Sequence, residues 1–159
     1  MEEILSITNA TKTTRSELGR QGEEIAGAFL VENGYRLVIA NFKVPVGRNS
    51  KGVQVTGEID IIALDEDGVL CFVEVKTRTS DAFAGPLSSV DVRKQRQITR
   101  TAKVYKRVFG LWDKASRFDV VTVVMPANGE VRIELVKGFW HTDKFRKRRW
   151  ERDNYYNNF

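Results

Sequence analysis

Two segments of this chain place charged side chains inside stretches that are otherwise apolar enough to be strands of a buried sheet. They are Gly-Glu-Ile-Asp-Ile-Ile-Ala at 57–63 and Phe-Val-Glu-Val-Lys-Thr-Arg at 72–78. Burying an ionised carboxylate costs several kcal/mol unless the group is paired or binds a metal. The acids of these strands therefore need a partner, and a divalent cation is the obvious candidate.

Strand geometry decides which of these side chains can meet. Side chains alternate between the two faces of a strand, so Glu58, Asp60 and Ile62 are expected on one face and the odd-numbered residues of 57–63 on the other. Glu74 and Lys76 share a face for the same reason. Each strand is therefore predicted to carry acid on one face: Glu58 and Asp60 on the first strand, and Glu74 on the second.

The connection between the two strands sets their register. Residues 65–68, Asp-Glu-Asp-Gly, have turn composition and predict a hairpin. Asp60 lies opposite Glu74 only if the hairpin turns about Asp67, which requires an odd number of loop residues. We therefore predict a three- or five-residue connection with Gly68 in the left-handed region.

The rest of the chain alternates between helical and strand patterns. We predict helices over 14–33 and 90–109, a turn over 44–52, and strands at 35–42, 53–64, 69–77, 118–125 and 131–136. Thr-Arg-Ser-Glu at 14–17 is a candidate capping box for the first helix, and Asn33-Gly34 is a candidate stop. A chain of 159 residues fits one domain. We place a loose terminus at 1–13, the domain at 14–142 and a basic, aromatic tail at 143–159.

Charge and composition narrow the class of partner. The formal net charge is +5, which favours polyanions such as nucleic acid. Basic residues crowd 93–107 and 144–152, while acids gather at 58–67; solvated charged faces are the structural alternative. No apolar run would span a bilayer and no basic leader is present, so a cytoplasmic protein without a membrane partner is expected. The single cysteine, Cys71, is expected to be a reduced core thiol without a disulfide partner.

The strand acids suit the hydrolysis of a phosphodiester. Mg²⁺ prefers one or two carboxylates together with waters and phosphate oxygens, which Asp60 and Glu74 could provide with the backbone carbonyl of Val75 between them. Lys76 would orient the attacking water or stabilise developing charge. Glu23, on the first helix, could add a ligand. The alternative is an inert ion-pair set in which Lys76 neutralises both acids.

Several of these motifs together resemble a known family. They are Gly-Arg-Gln-Gly-Glu-Glu-Ile-Ala at 19–26, the two strand segments, Lys94, and Arg-Phe-Asp-Val-Val at 117–121. In this order they are similar to the YraN-like uncharacterised proteins, which resemble Holliday-junction resolvases and the PD-(D/E)xK restriction-endonuclease-like nucleases. The resemblance implies an α/β fold with a mixed central sheet flanked by helices, and Mg²⁺ or Mn²⁺ as the metal. It implies the catalytic and metal-binding residues Asp60, Glu74, Lys76 and Glu23. The 42–56 segment and the tail look longer than in the family.

Other basic and aromatic residues are candidates for nucleic-acid contact. We predict phosphate contacts from Arg78, Lys94, Arg146, Arg148 and Arg149. Arg93, Arg96 and Arg100 of the second helix could also contact phosphates, but a solvated helix face is the expected role of these arginines. For Lys94 both roles stay open. Trp140 could stack on an unpaired base or close the core, and Asp119 is expected to be structural and to pair with Arg117.

Two functional hypotheses follow. The first is a metal-dependent endonuclease that hydrolyses phosphodiester bonds in DNA, with branched or structured DNA as one substrate class and a homodimer as one arrangement for cutting two strands. The alternative is a catalytically silent nucleic-acid-binding or assembly module on the same fold.

Overall fold

A computed structural model describes residues 14–80 and 90–145 of the chain. Within these ranges the elements are α1 Arg15–Glu32, β1 Arg36–Arg48, β2 Gln54–Leu64, β3 Leu70–Arg78, α2 Val92–Val108, β4 Ser116–Val124 and β5 Arg132–Trp140, followed by a 3₁₀ helix at Thr142–Phe145. The strands form one sheet in the order β1-β2-β3-β4-β5. Neighbouring strands are antiparallel except β3 and β4, which are parallel and joined through α2. The predicted α/β fold with a mixed sheet flanked by helices is confirmed. Neither described helix combines the length and apolar character needed to cross a membrane.

The predicted start of the first helix is confirmed in detail. Thr14 is the N-cap, and its hydroxyl accepts the backbone N–H of Glu17 at 3.2 Å. The Glu17 carboxylate in turn accepts the backbone N–H of Thr14 at 2.7 Å. This reciprocal pair satisfies two donors that a helix start otherwise leaves unpaired. The residue after the helix end, Gly34, has a φ of 82°, as a glycine stop predicts.

The β1–β2 hairpin is longer than predicted. The turn predicted over 44–52 is wrong for its first half, because β1 continues to Arg48, which pairs with Gln54. The chain reverses instead at Asn49, whose side-chain oxygen accepts the N–H groups of Lys51 and Val53. Pro45 is compatible with this strand because β1 lies at the edge of the sheet.

The β2–β3 hairpin has the predicted register. Ile61 pairs with Val73 and Leu64 with Leu70, so the connection holds five residues and is centred on residue 67. Gly68 adopts a left-handed conformation with a φ of 74°. Asp65 closes the loop by accepting the Val69 N–H at 2.8 Å. The odd-numbered loop that alternation required is therefore present.

The prediction of strict alternation along β2 is wrong around Asp60. Ile59 and Ile62 both belong to the core cluster on the α2 side of the sheet, although residues three apart should face opposite ways. On the paired strand β1, Ile39 and Phe42 pack against that same cluster. Asn41, between them and across from Asp60, has a φ of 53°, a left-handed conformation that breaks the alternation of both strands.

The two faces of the sheet carry separate cores. On the α2 side, Phe72 and Phe118 pack with Tyr105 and with Trp140, whose ring stacks on Phe118 at 4.6 Å. Trp140 therefore closes the core, which was one of its two predicted roles. Its indole N–H donates to the Thr99 hydroxyl at 3.0 Å. On the α1 side, small and branched residues of β3 and β4 pack under the helix.

A partly buried arginine, Arg117, joins the start of β1 to the β2–β3 loop and to β4. The Arg117 guanidinium donates to both carboxylate oxygens of Asp119, to Asp65 and to the Tyr35 hydroxyl. Asp119 is fully buried and also accepts the Gly138 N–H at 2.9 Å. The prediction that Asp119 is structural and pairs with Arg117 is confirmed.

The Cys71 thiol lies in the core on the α1 side. Burial, and then the nearby Asp119 charge, raise the pKa of this thiol to about 12. Because only a thiolate is a good nucleophile, Cys71 has the structural role that was predicted.

Candidate active site

Asp60 lies where β2 and β3 stop pairing. The ladder runs from the pair of Leu64 and Leu70 to the pair of Ile61 and Val73, and Asp60 is the next residue of β2 beyond its end. Beyond it, the Asp60 Oδ2 atom accepts the backbone N–H of Val75 at 2.7 Å. The carboxylate thus satisfies a donor that β2 leaves unpaired, and it is only 8% exposed. This bond directs Asp60 towards β3, beside Glu74.

Glu74 is the most buried acid of the site, at 2% exposure. Its Oε1 atom is 2.8 Å from the Lys76 Nζ on the same strand. Its Oε2 atom is 3.3 Å from the Lys94 Nζ, which is delivered by the first turn of α2. The Oε2 atom nevertheless lacks a hydrogen bond of good geometry, so Lys94 neutralises its charge without saturating the oxygen. Lys94 therefore belongs to the site and not to a solvated helix face.

The charges of the site act strongly on one another. The pKa of Asp60 rises to about 7, first because burial penalises the charged form and then because Glu74 is a neighbouring negative charge. The Val75 N–H and Lys94 act against this rise, while Glu23 adds to it. Burial acts to lower the pKa of Lys94, but Glu74 and Asp60 outweigh it and the pKa is raised. Two close acids that repel each other form a site that favours a cation.

Glu23 reaches the site because α1 approaches β3 closely at Gly22. A Cβ added at Gly22 would lie 1.8 Å from the Thr77 hydroxyl oxygen, so only glycine allows this contact. Glu23 then lines an open cleft of about 640 Å³ together with Lys76 and Arg78. The cleft exposes the end of β3 to solvent.

The structure brings together only part of the predicted ligand set. Asp60 and Glu74 are adjacent, but within 14–80 and 90–145 no three acids, histidines or cysteines are close enough to hold a metal together. Glu23 is an electrostatic neighbour in the described part of the chain and not a third member of such a cluster. Val75 contributes its N–H to Asp60, while its predicted role as a carbonyl ligand stays a prediction.

The remaining predicted residues fall into three groups. Glu58 is a surface acid: its side chain is 38% exposed and pairs with Lys43 at 3.1 Å. Arg78 lines the cleft. The predicted phosphate contacts Arg146, Arg148 and Arg149 lie outside the described residues, as does the 1–13 terminus.

The donor chemistry fits a hard divalent cation. Asp60 and Glu74 offer carboxylate oxygens, and one of them, Glu74 Oε2, is buried without a hydrogen bond. Mg²⁺ needs only one or two protein carboxylates because waters and phosphate oxygens complete its coordination. The ion pairs of Glu74 with Lys76 and Lys94 show that the inert alternative is realised in part, although Lys76 pairs with Glu74 and not with both acids.

Comparison with known proteins places the chain in a family. A family model described as "Uncharacterised protein family UPF0102" matches residues 22–123, which include Glu23, Asp60, Glu74, Lys76 and Lys94. The chain belongs to UPF0102. This confirms the YraN-like resemblance.

Individual UPF0102 proteins match over most of their length. One from Chlorobium phaeobacteroides (strain BS1) is 42% identical over 118 residues, which cover 73% of this chain and 85% of that protein. One from Desulfosudis oleivorans is 43% identical over 123 residues, covering 77% and 89%. One from Moorella thermoacetica is 37% identical over 126 residues, covering 79% and 96%. The family thus accounts for the described domain.

Proposed function

We propose that this UPF0102 protein is a metal-dependent endonuclease that hydrolyses phosphodiester bonds in DNA. The observation that carries the proposal is the position of Asp60 beside Glu74, two buried carboxylates on strands that cease to pair at that point. Asp60 has an N–H partner and Glu74 has two lysines. A purely structural core gains little from two acids that raise each other's free energy, whereas a cation site needs them.

Each residue of the site has a distinct role in this proposal. Asp60 and Glu74 would hold the metal, with Mg²⁺ or Mn²⁺ supplying Lewis-acid activation of the phosphate and of the attacking water. The Val75 N–H fixes the orientation of Asp60, so that its second oxygen is left for a ligand. Lys76 lines the cleft and stabilises charge that develops on the phosphate oxygens.

Lys94 is a positioning residue in the metal-free protein. Its ammonium lies 3.3 Å from Glu74 Oε2 and holds that side chain in place inside the sheet. With a cation held by Glu74, the Lys94 ammonium would be available to a phosphate oxygen. Glu23, across the cleft, holds a water or supplies a further oxygen.

The choice of DNA as substrate is supported by charge and by the family resemblance. The net charge of +5 favours a polyanion. The resemblance to Holliday-junction resolvases puts branched DNA within the proposal, and a homodimer would provide the two sites needed to cut two strands.

One observation favours the second candidate, a silent nucleic-acid-binding module. Both oxygens of Glu74 already face lysines, and no three-ligand cluster forms in the described residues. A protein that kept only the fold would retain such a neutralised acid. Binding without hydrolysis by wild type under every metal condition would favour this candidate.

The deciding experiment is a cleavage panel of linear, flapped and four-way DNA with Mg²⁺ or Mn²⁺. Wild type is compared with Asp60→Asn and Glu74→Gln, and with Glu58→Gln as a matched control, because Glu58 is an acid of the same strand outside the site. Loss of a group that stabilises the transition state lowers the rate by roughly 100-fold or more. The site variants should show this loss and the control should cut like wild type. Equal cutting by Asp60→Asn and wild type would remove the proposed site.

A further inference from the structure

A second concave surface lies between the β1–β2 hairpin and α2, away from the cleft that holds Glu23. Its volume is about 530 Å³. Val46 and Val55 of the hairpin form its apolar side, and its charged side chains are Arg48, Arg93, Arg96 and Arg100. We call it the arginine groove. Sequence reasoning missed Arg48, since it placed this residue in a turn. It kept phosphate contact open for the helix arginines but expected a solvated face.

Specific contacts hold the two walls of the groove together. The Gln97 side-chain amide on α2 donates to the Thr56 carbonyl of β2 at 2.9 Å. One residue further along β2, a Cβ at Gly57 would lie 2.0 Å from the Thr101 hydroxyl, so α2 sits as close to the strand as a glycine permits. The Arg48 guanidinium donates to the Gly52 carbonyl at the hairpin tip. The groove is therefore preformed, which reduces the entropy lost on binding.

The charge of the groove is of one sign. Among the described residues that line it, four are arginines and none is an acid. On α2, Arg93, Arg96 and Arg100 recur at helical spacing and span about 10 Å at 1.5 Å per residue. This length corresponds to about three nucleotide steps of a strand at 3.4 Å per step. Like charges four residues apart repel each other, and a bound polyanion removes that cost.

We propose that the arginine groove binds the sugar-phosphate backbone of a nucleic acid and leads it to the Glu74 site. Arg93 precedes Lys94 in the chain, and the Lys94 ammonium lies 3.3 Å from Glu74 Oε2. Both residues lie in the first turn of α2, so the groove begins at the end of the helix from which Lys94 reaches Glu74. The inference rests on the proposed function for what happens at that centre, but not for binding in the groove.

The shape and chemistry of the groove select this partner. A guanidinium presents a planar fork of donors that matches two phosphate oxygens, which is why arginine is preferred for phosphate recognition. The valines offer apolar contact to the sugars. A lipid surface is flat and would rest on the rims of the hairpin and helix without reaching the residues between them.

Binding is tested with the full chain and fluorescent DNA in the presence of EDTA, so that cleavage plays no part. The groove variant is Arg93→Gln with Arg100→Gln. The matched control is Arg36→Gln with Arg107→Gln, which removes the same charge at two exposed positions outside the groove. The probes are a 20-base-pair duplex and a four-way junction, each over a salt series, and thermal unfolding of every variant verifies its fold.

The groove variant should bind at least about 10-fold more weakly than wild type. Each lost phosphate contact lowers the slope of log K against log salt by about 0.9 for duplex DNA, so the slope should fall by about 2. The control should stay within about threefold of wild type. Wild-type affinity in the groove variant, or an equal loss in the control, would overturn the groove as the binding surface.

Two further arms separate the possible failures. Polyglutamate and vesicles containing phosphatidylserine are offered to the same proteins, and groove-dependent binding of either with no groove-dependent DNA binding would overturn the choice of nucleic acid. The DNA arm is repeated in Asp60→Asn, which lacks the proposed catalytic acid. If Asp60→Asn binds through the groove and wild type also binds but never cuts with Mg²⁺ or Mn²⁺, this inference is retained and the endonuclease is rejected. Normal cutting by the groove variant would retain the endonuclease and reject the groove as the binding surface.

Discussion

The carboxylate of Asp60 accepts the backbone N–H of Val75, the residue that separates Glu74 from Lys76 in the chain. This single bond aligns β2 with the Glu-Val-Lys segment of β3 beyond the end of their ladder. The backbone of β3, the strand that carries Glu74 and Lys76, thus also orients Asp60. The geometry of the site therefore depends on how β2 pairs with β3.

The first prediction concerns the pH dependence of stability. The pKa of Asp60 in the folded protein is about 7, above its ordinary value of 3.8, so the folded state binds this proton more tightly than the unfolded state. Its contribution to stability is present below about pH 4 and is lost as pH rises through about 7. Asp60→Asn can still accept the Val75 N–H. It should therefore exceed wild type in stability at pH 8 by on the order of 2 to 4 kcal/mol, and by less at pH 5.

Urea unfolding in EDTA at both pH values measures this difference. Glu58→Gln is the control, because that acid is partly exposed and paired with Lys43 at the surface. The same wild-type-to-variant difference at pH 5 and pH 8 would contradict the raised pKa of Asp60.

The second prediction concerns metal binding. A ligand that binds only the folded state stabilises it, by about 2.7 kcal/mol at a concentration 100 times its Kd. Mg²⁺ or Mn²⁺ should therefore raise the wild-type Tm, and more at pH 8 than at pH 6, because a proton competes for Asp60. The rise should vanish in Asp60→Asn and Glu74→Gln. Titration calorimetry with Mn²⁺ provides a second readout, and a Tm rise retained in both variants would exclude these carboxylates as ligands.

The third prediction concerns the contact that places Glu23. Gly22→Ala should destabilise the protein by about 1 to 3 kcal/mol, since the added methyl would overlap the Thr77 hydroxyl. The matched change Gly19→Ala, in the same helix with nothing within 4 Å, should stabilise by about 0.5 to 1 kcal/mol through helix propensity. Chemical denaturation compares them. If both changes shifted stability in the same direction, the close approach of α1 to β3 would be wrong.

The fourth prediction contrasts a buried and an exposed ion pair. Arg117→Met leaves the fully buried Asp119 without its cation and should cost about 3 to 5 kcal/mol. Arg20→Met breaks the exposed pair with Glu24 and should cost less than about 1 kcal/mol. Denaturation midpoints at pH 7 test the contrast. Similar small losses in both variants would show that the Arg117 network does not hold the strands together.

Local sequence was sufficient wherever neighbouring residues set the geometry. Thr14 and Glu17 predicted the start of α1, because a capping box needs only three residues of separation. The need for Asp60 to face Glu74 predicted an odd loop centred on Asp67, since strand register and loop length are linked by counting alone. Asp119 and Arg117, two positions apart, were also paired correctly.

Predictions from local sequence were wrong or stayed open where the geometry depends on a neighbouring strand or helix. Alternation along β2 misassigned Ile59, because the left-handed Asn41 of the adjacent strand breaks the pattern there. The 44–52 segment looked like a turn, yet pairing with β2 keeps β1 extended to Arg48. The role of Lys94 stayed open because its distance from Glu74 depends on how α2 docks.

The sequence by itself determined which acids lie on which strands, the centre of the hairpin that brings Asp60 to Glu74, and the family to which the chain belongs. These depend on the order of the residues and on whether the number of residues between two positions is odd or even, and folding changes neither. Only the tertiary structure decided that α2 gives Glu74 its second lysine, that α1 lays Glu23 along the cleft, and that Arg48 meets the arginines of α2 across a groove. Those relationships depend on how closely helices pack on the sheet, and that packing is set at Gly22 and Gly57 by residues far away in the chain.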